Sequence, residues 1–311
     1  MAAYIPRYRK THQSGHLQIK AREAAERLSE CTLCPRLCRV DRSSGETGFC
    51  STAAQAVVAS YDAHFGEEQP LVGTHGSGTI FFTHCNLLCN FCQNFDISHQ
   101  GAGHEITDGQ LADIMLYLQS SGCHNINFVT PSHVVPQILA ALVIASEKGL
   151  NIPLVYNTGG YDRVDTLELL DGVVDIYMPD FKFWDADIAE KTCQAPDYPE
   201  VAQAAFIEMH RQVGDLSIDE NGLATSGLLV RHLVLPEGLA NTKDVMTFIA
   251  NHISPNTYVN IMPQYRPCGR AFEMESLNRP INHNEYEKAV KEAIQAGIKR
   301  FDRRRRTFIM F

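Results

Sequence analysis

The sequence has no long hydrophobic run. Nowhere do the roughly 18 apolar residues of a membrane helix occur together, and the opening MAAYIPRYRKTHQSGH carries no apolar stretch of a secretory signal. The expected location is therefore cytoplasmic, with no membrane partner. A surplus of positive charge is also missing. The formal net charge is −9, which argues against a dedicated nucleic-acid binder with a broad positive field. One basic run, RRRR at 303–306, reads as a solvated tail. Internal repeats and low-complexity segments are absent, which excludes a solenoid or array. What remains is a chain of 311 residues, 44% hydrophobic and 20% charged, ample for a sizeable core. Its length suits one large domain with an appendage, or two modest domains.

Cysteine is what this sequence has in quantity. There are ten, and without an export signal they do not read as disulfides, because the cytosol keeps thiols reduced. Seven lie in two clusters: Cys31, Cys34, Cys38 and Cys50, then Cys85, Cys89 and Cys92. Clustered thiols in such a chain point to metal. Cys123 and Cys193 read as packing residues. Cys268 stands alone in a late loop, as an exposed thiol or a weak catalytic candidate. The 13 histidines are scattered and form no spaced ligand pair.

From residue 79 onward, β-branched and aromatic runs alternate with helical patterns. Strands are expected at about 79–83, 125–130, 153–157, 174–178, 228–235 and 257–262, with helices at 107–120, 133–148, 163–171, 199–213, 241–252 and 284–297. Thr107-Asp108 stands where an N-cap belongs. Such alternation implies parallel pairing with right-handed crossovers. Six units fall short of the eight of a closed barrel, so the expected fold is α/β, a partial (β/α)6 TIM-like barrel. A doubly wound sheet is the alternative. The expected divisions are 1–75, a helix (about 16–30) and a four-cysteine metal-binding segment; 76–275, the barrel; and 276–311, a C-terminal helix and basic tail. In either arrangement active residues collect on loops after the carboxyl ends of the strands. The cysteine triplet falls there, after the first strand. So do 130–133, 157–161, 179–182 and 263–270.

A four-iron, four-sulfur cube wants one external ligand per iron, usually thiolate. Three thiolates from one loop hold three irons and leave the fourth open for a substrate or cofactor. A structural zinc would want a closed set of four, completed here by His84 or His99.

The spacing C-x3-C-x2-C after a first strand, with Phe91 before the third cysteine, resembles the signature of the radical S-adenosylmethionine superfamily. That resemblance implies a 4Fe-4S cluster whose open iron binds S-adenosylmethionine, and reductive cleavage to methionine and a 5′-deoxyadenosyl radical. It implies that Phe91 packs near the adenine. The chain further resembles the activating enzymes of glycyl-radical enzymes, the pyruvate formate-lyase activase type, over about 77–270. YNTGGY (156–161), MPDFK (178–182), RHLVLPEG (231–238) and IMPQYRP (261–267) are similar to that family's stretches. By this likeness Asn157, Thr158, Asp180, Lys182 and Arg231 would meet the cofactor's polar groups. Thr158, Met178 and Asp180 would surround a monovalent cation. The residues alone leave Asp180 and Lys182 open to a local ion pair at a strand end. The chain departs from the pattern at TPSH (130–133), where the family has Gly-Gly-Glu; Ser132 or a backbone carbonyl would take that contact. Tyr265 stands in place of the family's His, and the four extra cysteines precede the triplet rather than follow it.

CTLCPRLC (31–38) with Cys50 gives C-x2-C-x3-C-x11-C, four thiolates within 20 residues. Such a set closes a tetrahedral zinc or holds a second iron–sulfur site; its role is structural, electron relay or substrate docking. A similar leading set, with a Cys-Gln-Asn triplet end like Cys92-Gln93-Asn94, occurs in an uncharacterised branch of the activase-like enzymes. The function expected is a radical enzyme that takes an electron from a flavodoxin or ferredoxin and abstracts hydrogen from a substrate. That substrate would be a glycine in a partner protein, another peptide or a small metabolite. The alternative is an iron–sulfur electron-transfer or regulatory protein that never cleaves the cofactor.

Overall fold

The computed structural model describes residues 4–302, so the basic run at 303–306 lies outside the described residues. Helices α1 (Arg7–Gln13) and α2 (His16–Glu26) come first, joined through Gly15 at a left-handed φ of 78°. The cysteine-rich stretch follows with one short 3-10 turn, Arg42–Ser44. Next come β1 (Ala56–His64), α3 (Gln69–Val72), β2 (Ser77–Phe82), α4 (Phe95–Ser98) and β3 (His104–Ile106). The alternating part then runs α5 (Asp108–Ser120), β4 (Ile126–Val129), α6 (Val135–Glu147), β5 (Leu154–Thr158), α7 (Val164–Leu169) and β6 (Ile176–Pro179). It continues through α8 (Ala186–Cys193), α9 (Tyr198–Val213), β7 (Ser217–Ile218), β8 (Ala224–Leu233), α10 (Thr242–Phe248), β9 (Tyr258–Met262), α11 (His283–Gln295) and β10 (Arg300–Phe301).

The strand order is β10-β9-β8-β6-β5-β4-β2-β1-β3, parallel from β2 through β10. Each main strand lies beside its predecessor, without the order reversal that defines a doubly wound sheet. The sheet is an open one, and β2 and β9 do not pair. The six expected strands are all present. β5 and β6 are buried at every position, as a covered parallel sheet requires. Thr107 caps α5 through a reciprocal box with Gln110.

Three parts extend beyond the sequence-based expectation. β1 pairs antiparallel with β2, Tyr61 opposite Ile80, so the core sheet reaches back before residue 76. Its second half, SYDAH, is largely exposed and polar, which hides the strand from a pattern reading. α8 fills the connection after β6, ahead of α9. The first helices also belong to the core: Tyr8, Leu17 and Ala24 are fully buried within the main cluster. Asp175 fastens them, accepting from the Tyr4 hydroxyl at 2.7 Å and the Arg7 N–H at 2.8 Å.

The segment between β1 and β2 reaches across the inside of the curled sheet. Leu71 packs with Val155, Ile176, Met178 and Leu229 from β5, β6 and β8, and its carbonyl accepts from Asn125 at 2.8 Å. It floors the barrel. Leu71→Ala is expected to cost about 2–5 kcal/mol in a urea titration, the range for a large-to-small change in a packed core. A loss under about 1 kcal/mol would show that the floor is not packed as described.

Candidate active site

Cys85, Cys89 and Cys92 lie on the loop leaving β2 and line one cavity of about 390 Å³. The loop is bent by two non-glycine residues in the left-handed region, His84 (φ 64°) before Cys85 and Leu88 (φ 52°) before Cys89. The His84 N–H donates to the Ile97 carbonyl at 3.0 Å, and that of Cys92 to Cys89 at 3.0 Å. Two sulfurs receive donors: Leu87 N–H to Cys85 Sγ at 3.3 Å, and Ser98 Oγ to Cys92 Sγ at 3.2 Å. Burial pushes the Cys85 thiol up to about 12, helped by the neighbouring Cys89 and Cys92. Burial raises Cys92 too, against the pull of the Ser98 hydroxyl. The Cys193 thiol beside it and burial together raise Cys89. Three such thiols become thiolates together only if a cation meets them.

Cys193, expected as a packing residue, is buried but lies against Cys89, outside the cavity wall. His99 has both ring nitrogens engaged, Nδ1 with Ser98 Oγ at 2.8 Å and Nε2 with the Leu88 carbonyl at 3.2 Å. Neither His84 nor His99 lines the cavity, and neither does Cys268. Among the described residues no three His, Cys, Asp or Glu side chains are drawn up around a single ion.

Of the expected cofactor contacts, Phe91, Asn157, Thr158, Asp180, Lys182 and Arg231 line this cavity. Phe91 meets Phe183 and Tyr265 edge-on, at 5.8 and 6.0 Å between ring centroids. Lys182 Nζ is 2.6 Å from Asp180 Oδ2; burial works most strongly against its charge, but Asp180, Cys89 and Tyr198 together outweigh it and raise its pKa. The Tyr198 hydroxyl accepts from the Lys182 N–H at 2.8 Å and reaches the Gly159 and Asp180 carbonyls. A Cβ at Gly160, φ 79°, would meet the Asp180 carbonyl at 2.5 Å, so this crossing needs glycine.

Ser132 does not line the cavity. It is 3% exposed and bonds Thr158 at 3.0 Å, while Thr158 donates to the buried Asp162 at 2.6 Å. Met178 packs in the floor cluster with Leu71. Thr130, in the cavity wall, has φ 61°. A β-branched residue in that region is a true outlier costing about 1–3 kcal/mol.

The floor carries residues the sequence did not single out. Arg231 makes ion pairs with Glu67 and Glu68, the latter at 2.7 Å, and Asn260 donates to Glu68 at 2.6 Å. Asn127 donates to Glu67 at 3.1 Å. Burial pushes the Glu68 carboxyl up, but Arg231 and Asn260 more than offset it, leaving its pKa below the ordinary value. The only signal was an acidic pair before Pro70 in a segment with no assigned element.

The first cysteine set is equally embedded. Cys31, Cys34 and Cys50 are each 7% exposed. Burial pushes Cys34 up to about 12, with Cys50, Cys31 and Cys38 adding to it. The Phe49 N–H donates to Cys38 Sγ at 3.3 Å. A Cβ on Gly48 would meet Cys38 Cβ at 2.6 Å, so the turn in SSGETG closes only with glycine. Arg42, 1% exposed, donates to the His133 carbonyl at 2.8 Å and twice to the Ala53 carbonyl.

Fold and site together define an α/β protein with an open parallel barrel and a cysteine triplet at the mouth of a charged cavity. Over 285 residues, 89% of this chain and 78% of the relative, the sequence is 33% identical to the uncharacterized protein MJ0674 of Methanocaldococcus jannaschii. The chain belongs to the family of that protein. No family model matches it. Among solved structures it is similar to a radical SAM methyltransferase from Sphaerobacter thermophilus, at 14% identity and a TM-score of 0.48, over 72% of this chain and 66% of that one.

Two predictions follow from the buried charges. Arg231→Met strands two carboxylates and is expected to cost about 3–5 kcal/mol; adding Glu68→Gln should recover part of it. A double variant no better than the single would show that the three groups are not coupled. The second concerns acid. His133 is 1% exposed, and burial together with Arg42 pushes its pKa down to about 3. An unfolded His titrates near 6.5. Stability is therefore full above that pH and declines as pH falls from there towards 3. Urea midpoints of the metal-free protein between about pH 7 and 4.5 should fall less steeply in His133→Gln than in wild type; equal slopes would refute this.

Proposed function

We propose that the protein is a radical S-adenosylmethionine enzyme. The observation that carries this reading is the set of three cysteines on the loop after the first parallel strand, all in the wall of one cavity. The donors fit the group. Two sulfurs receive N–H or O–H donors, as cluster thiolates do, and burial leaves all three needing a cation. A four-iron cluster held there would supply the electron for reductive cleavage of S-adenosylmethionine to methionine and a 5′-deoxyadenosyl radical. The chain does the rest. Cys85, Cys89 and Cys92 would hold three of the irons, and Phe91 would offer an apolar face to the adenine. Asp180 and Lys182, already paired, exchange part of that pair for the ammonium and carboxylate of the methionine moiety. Asn157 and Thr158 offer polar contacts, and Phe82, Leu87 and Met262 keep water from the reacting carbon. A one-electron donor such as flavodoxin or ferredoxin is the expected partner. An activase acting on a protein glycine, a peptide modifier and a small-molecule enzyme are the candidate subtypes. The first cysteine set we assign to zinc or a second iron–sulfur centre.

One observation favours the second reading, an electron-transfer protein: Cys193 lies against Cys89 and would close the cluster if it became a fourth ligand. Its absence from the cavity wall speaks against that role. The two readings part on one experiment. After anaerobic reconstitution and dithionite reduction, wild type and Cys193→Ala are expected to convert S-adenosylmethionine to 5′-deoxyadenosine and methionine. A variant with Cys85, Cys89 and Cys92 all changed to Ala should show only background and lose the iron and sulfide of that site. No 5′-deoxyadenosine from wild type above the triple variant would defeat the enzyme reading.

A further inference from the structure

Arg36 lies between Cys34 and Cys38, yet its side chain serves the other cysteine site. Its Nε donates to the Asn86 carbonyl at 2.9 Å, one residue past Cys85. Nη2 donates to the Cys193 carbonyl at 2.7 Å, and Nη1 to that of Gln194. The end of α8 so engaged also accepts from the triplet loop, Asn90 N–H to Thr192 at 2.9 Å and Asn90 Nδ2 to Lys191 at 3.1 Å. The guanidinium carbon sits 3.7 Å over the Phe49 ring, next to Cys50, and 5.2 Å from that of Tyr161. Among the described residues no carboxylate lies within 4 Å of it, so its charge is not spent on an ion pair. A planar fork with several fixed N–H donors suits three carbonyls from two segments; an ammonium cannot span them in this way.

We propose that Arg36 is a positioning residue for the triplet loop, and that through it the first cysteine set fixes the shape of the second site. This rests on the radical-enzyme reading and deepens it: the N-terminal segment acts on the cluster by geometry and charge. Its backbone end is anchored at the first set, in the turn closed by the Leu37 N–H on the Cys34 carbonyl at 3.1 Å. Its guanidinium end holds the turn between Cys85 and Cys89. Loosening either end frees the same loop.

The test uses the full chain, reconstituted, with three readouts: hydrogen exchange of the amides at 85–92, the midpoint potential of the triplet cluster, and S-adenosylmethionine titrated against the reduced cluster's electron paramagnetic resonance spectrum. Arg36→Gln should speed exchange in the loop, move the potential more negative by removing a cation, and raise the S-adenosylmethionine needed by about tenfold, the low end for loss of an outer-shell partner. Arg36→Lys keeps the charge and loses the fork, so its potential should stay near wild type while loop exchange remains fast. Cys34→Ser should free the loop as Arg36→Gln does, with the double variant no worse than either. Loop exchange and titration unchanged in both Arg36 variants would overturn the proposal, as would additive effects in the double. A wild type that binds no four-iron cluster is seen before any substitution, and overturns the underlying reading instead.

Discussion

A parallel sheet that curls without closing leaves a gap, and this molecule depends on how the gap is bridged. β2 and β9 are not paired. The chain between β1 and β2 crosses the interior instead, setting Glu68 against Arg231 of β8 and Asn260 of β9. These contacts index the late strands against the early hairpin. Because the Arg231 carbonyl accepts from Phe181 at 2.9 Å, the same residue also places the turn that carries Asp180 and Lys182. Both walls of the cavity therefore take their position from one buried set of charges.

Such a set is weak evidence for stability, since desolvation offsets much of the attraction. Its use here is register: alternatives that leave Arg231 or Glu68 unpaired in the interior are excluded at a cost of several kcal/mol. It also leaves a residual charge. The cavity wall holds the carboxylates of Glu67, Glu68 and Asp180 against the cations of Lys182 and Arg231, one negative charge in excess. Within an enclosed wall that surplus favours a cationic ligand over a neutral one. S-adenosylmethionine, whose sulfonium and ammonium outnumber its one carboxylate, is a ligand of that kind, in keeping with the proposed reading.

The repeating part of the fold was legible because its strands are short, apolar and covered on both faces, so that pattern and burial coincide, as in LVYNT of β5. β1 was hidden because half of it faces solvent and carries Tyr61, Asp62 and His64. The triplet stood out by its spacing, and the structure brings its three cysteines and most of the polar residues named by resemblance into one cavity wall. Ser132 and Met178 do not, and the reason is local. Each sits one step behind the wall, where Thr158 and the Leu71 floor occupy the space a direct contact would need. The roles of Glu67, Glu68, Arg36 and Arg42 were not legible. The side-chain partners of Glu67 and Glu68 are 60 to 192 residues away, and Arg36 and Arg42 bond mainly backbone carbonyls; neither kind of contact leaves a mark on local sequence.

That same long reach decides how the cysteine-rich segment should be understood. It has little apolar surface to bury by itself, and two of its three arginines, Arg36 and Arg42, donate to carbonyls beyond the segment: Asn86, His133, Cys193 and Gln194. A segment held this way is tied to the barrel through those carbonyls. Whatever binds its four thiols then stabilises the arrangement of those loops by mass action, because the ligand meets its full donor set only in the folded chain. On the proposed reading, a structural metal in the first set and one that tunes the cavity would be one role. The distinction holds only for a segment that folds alone.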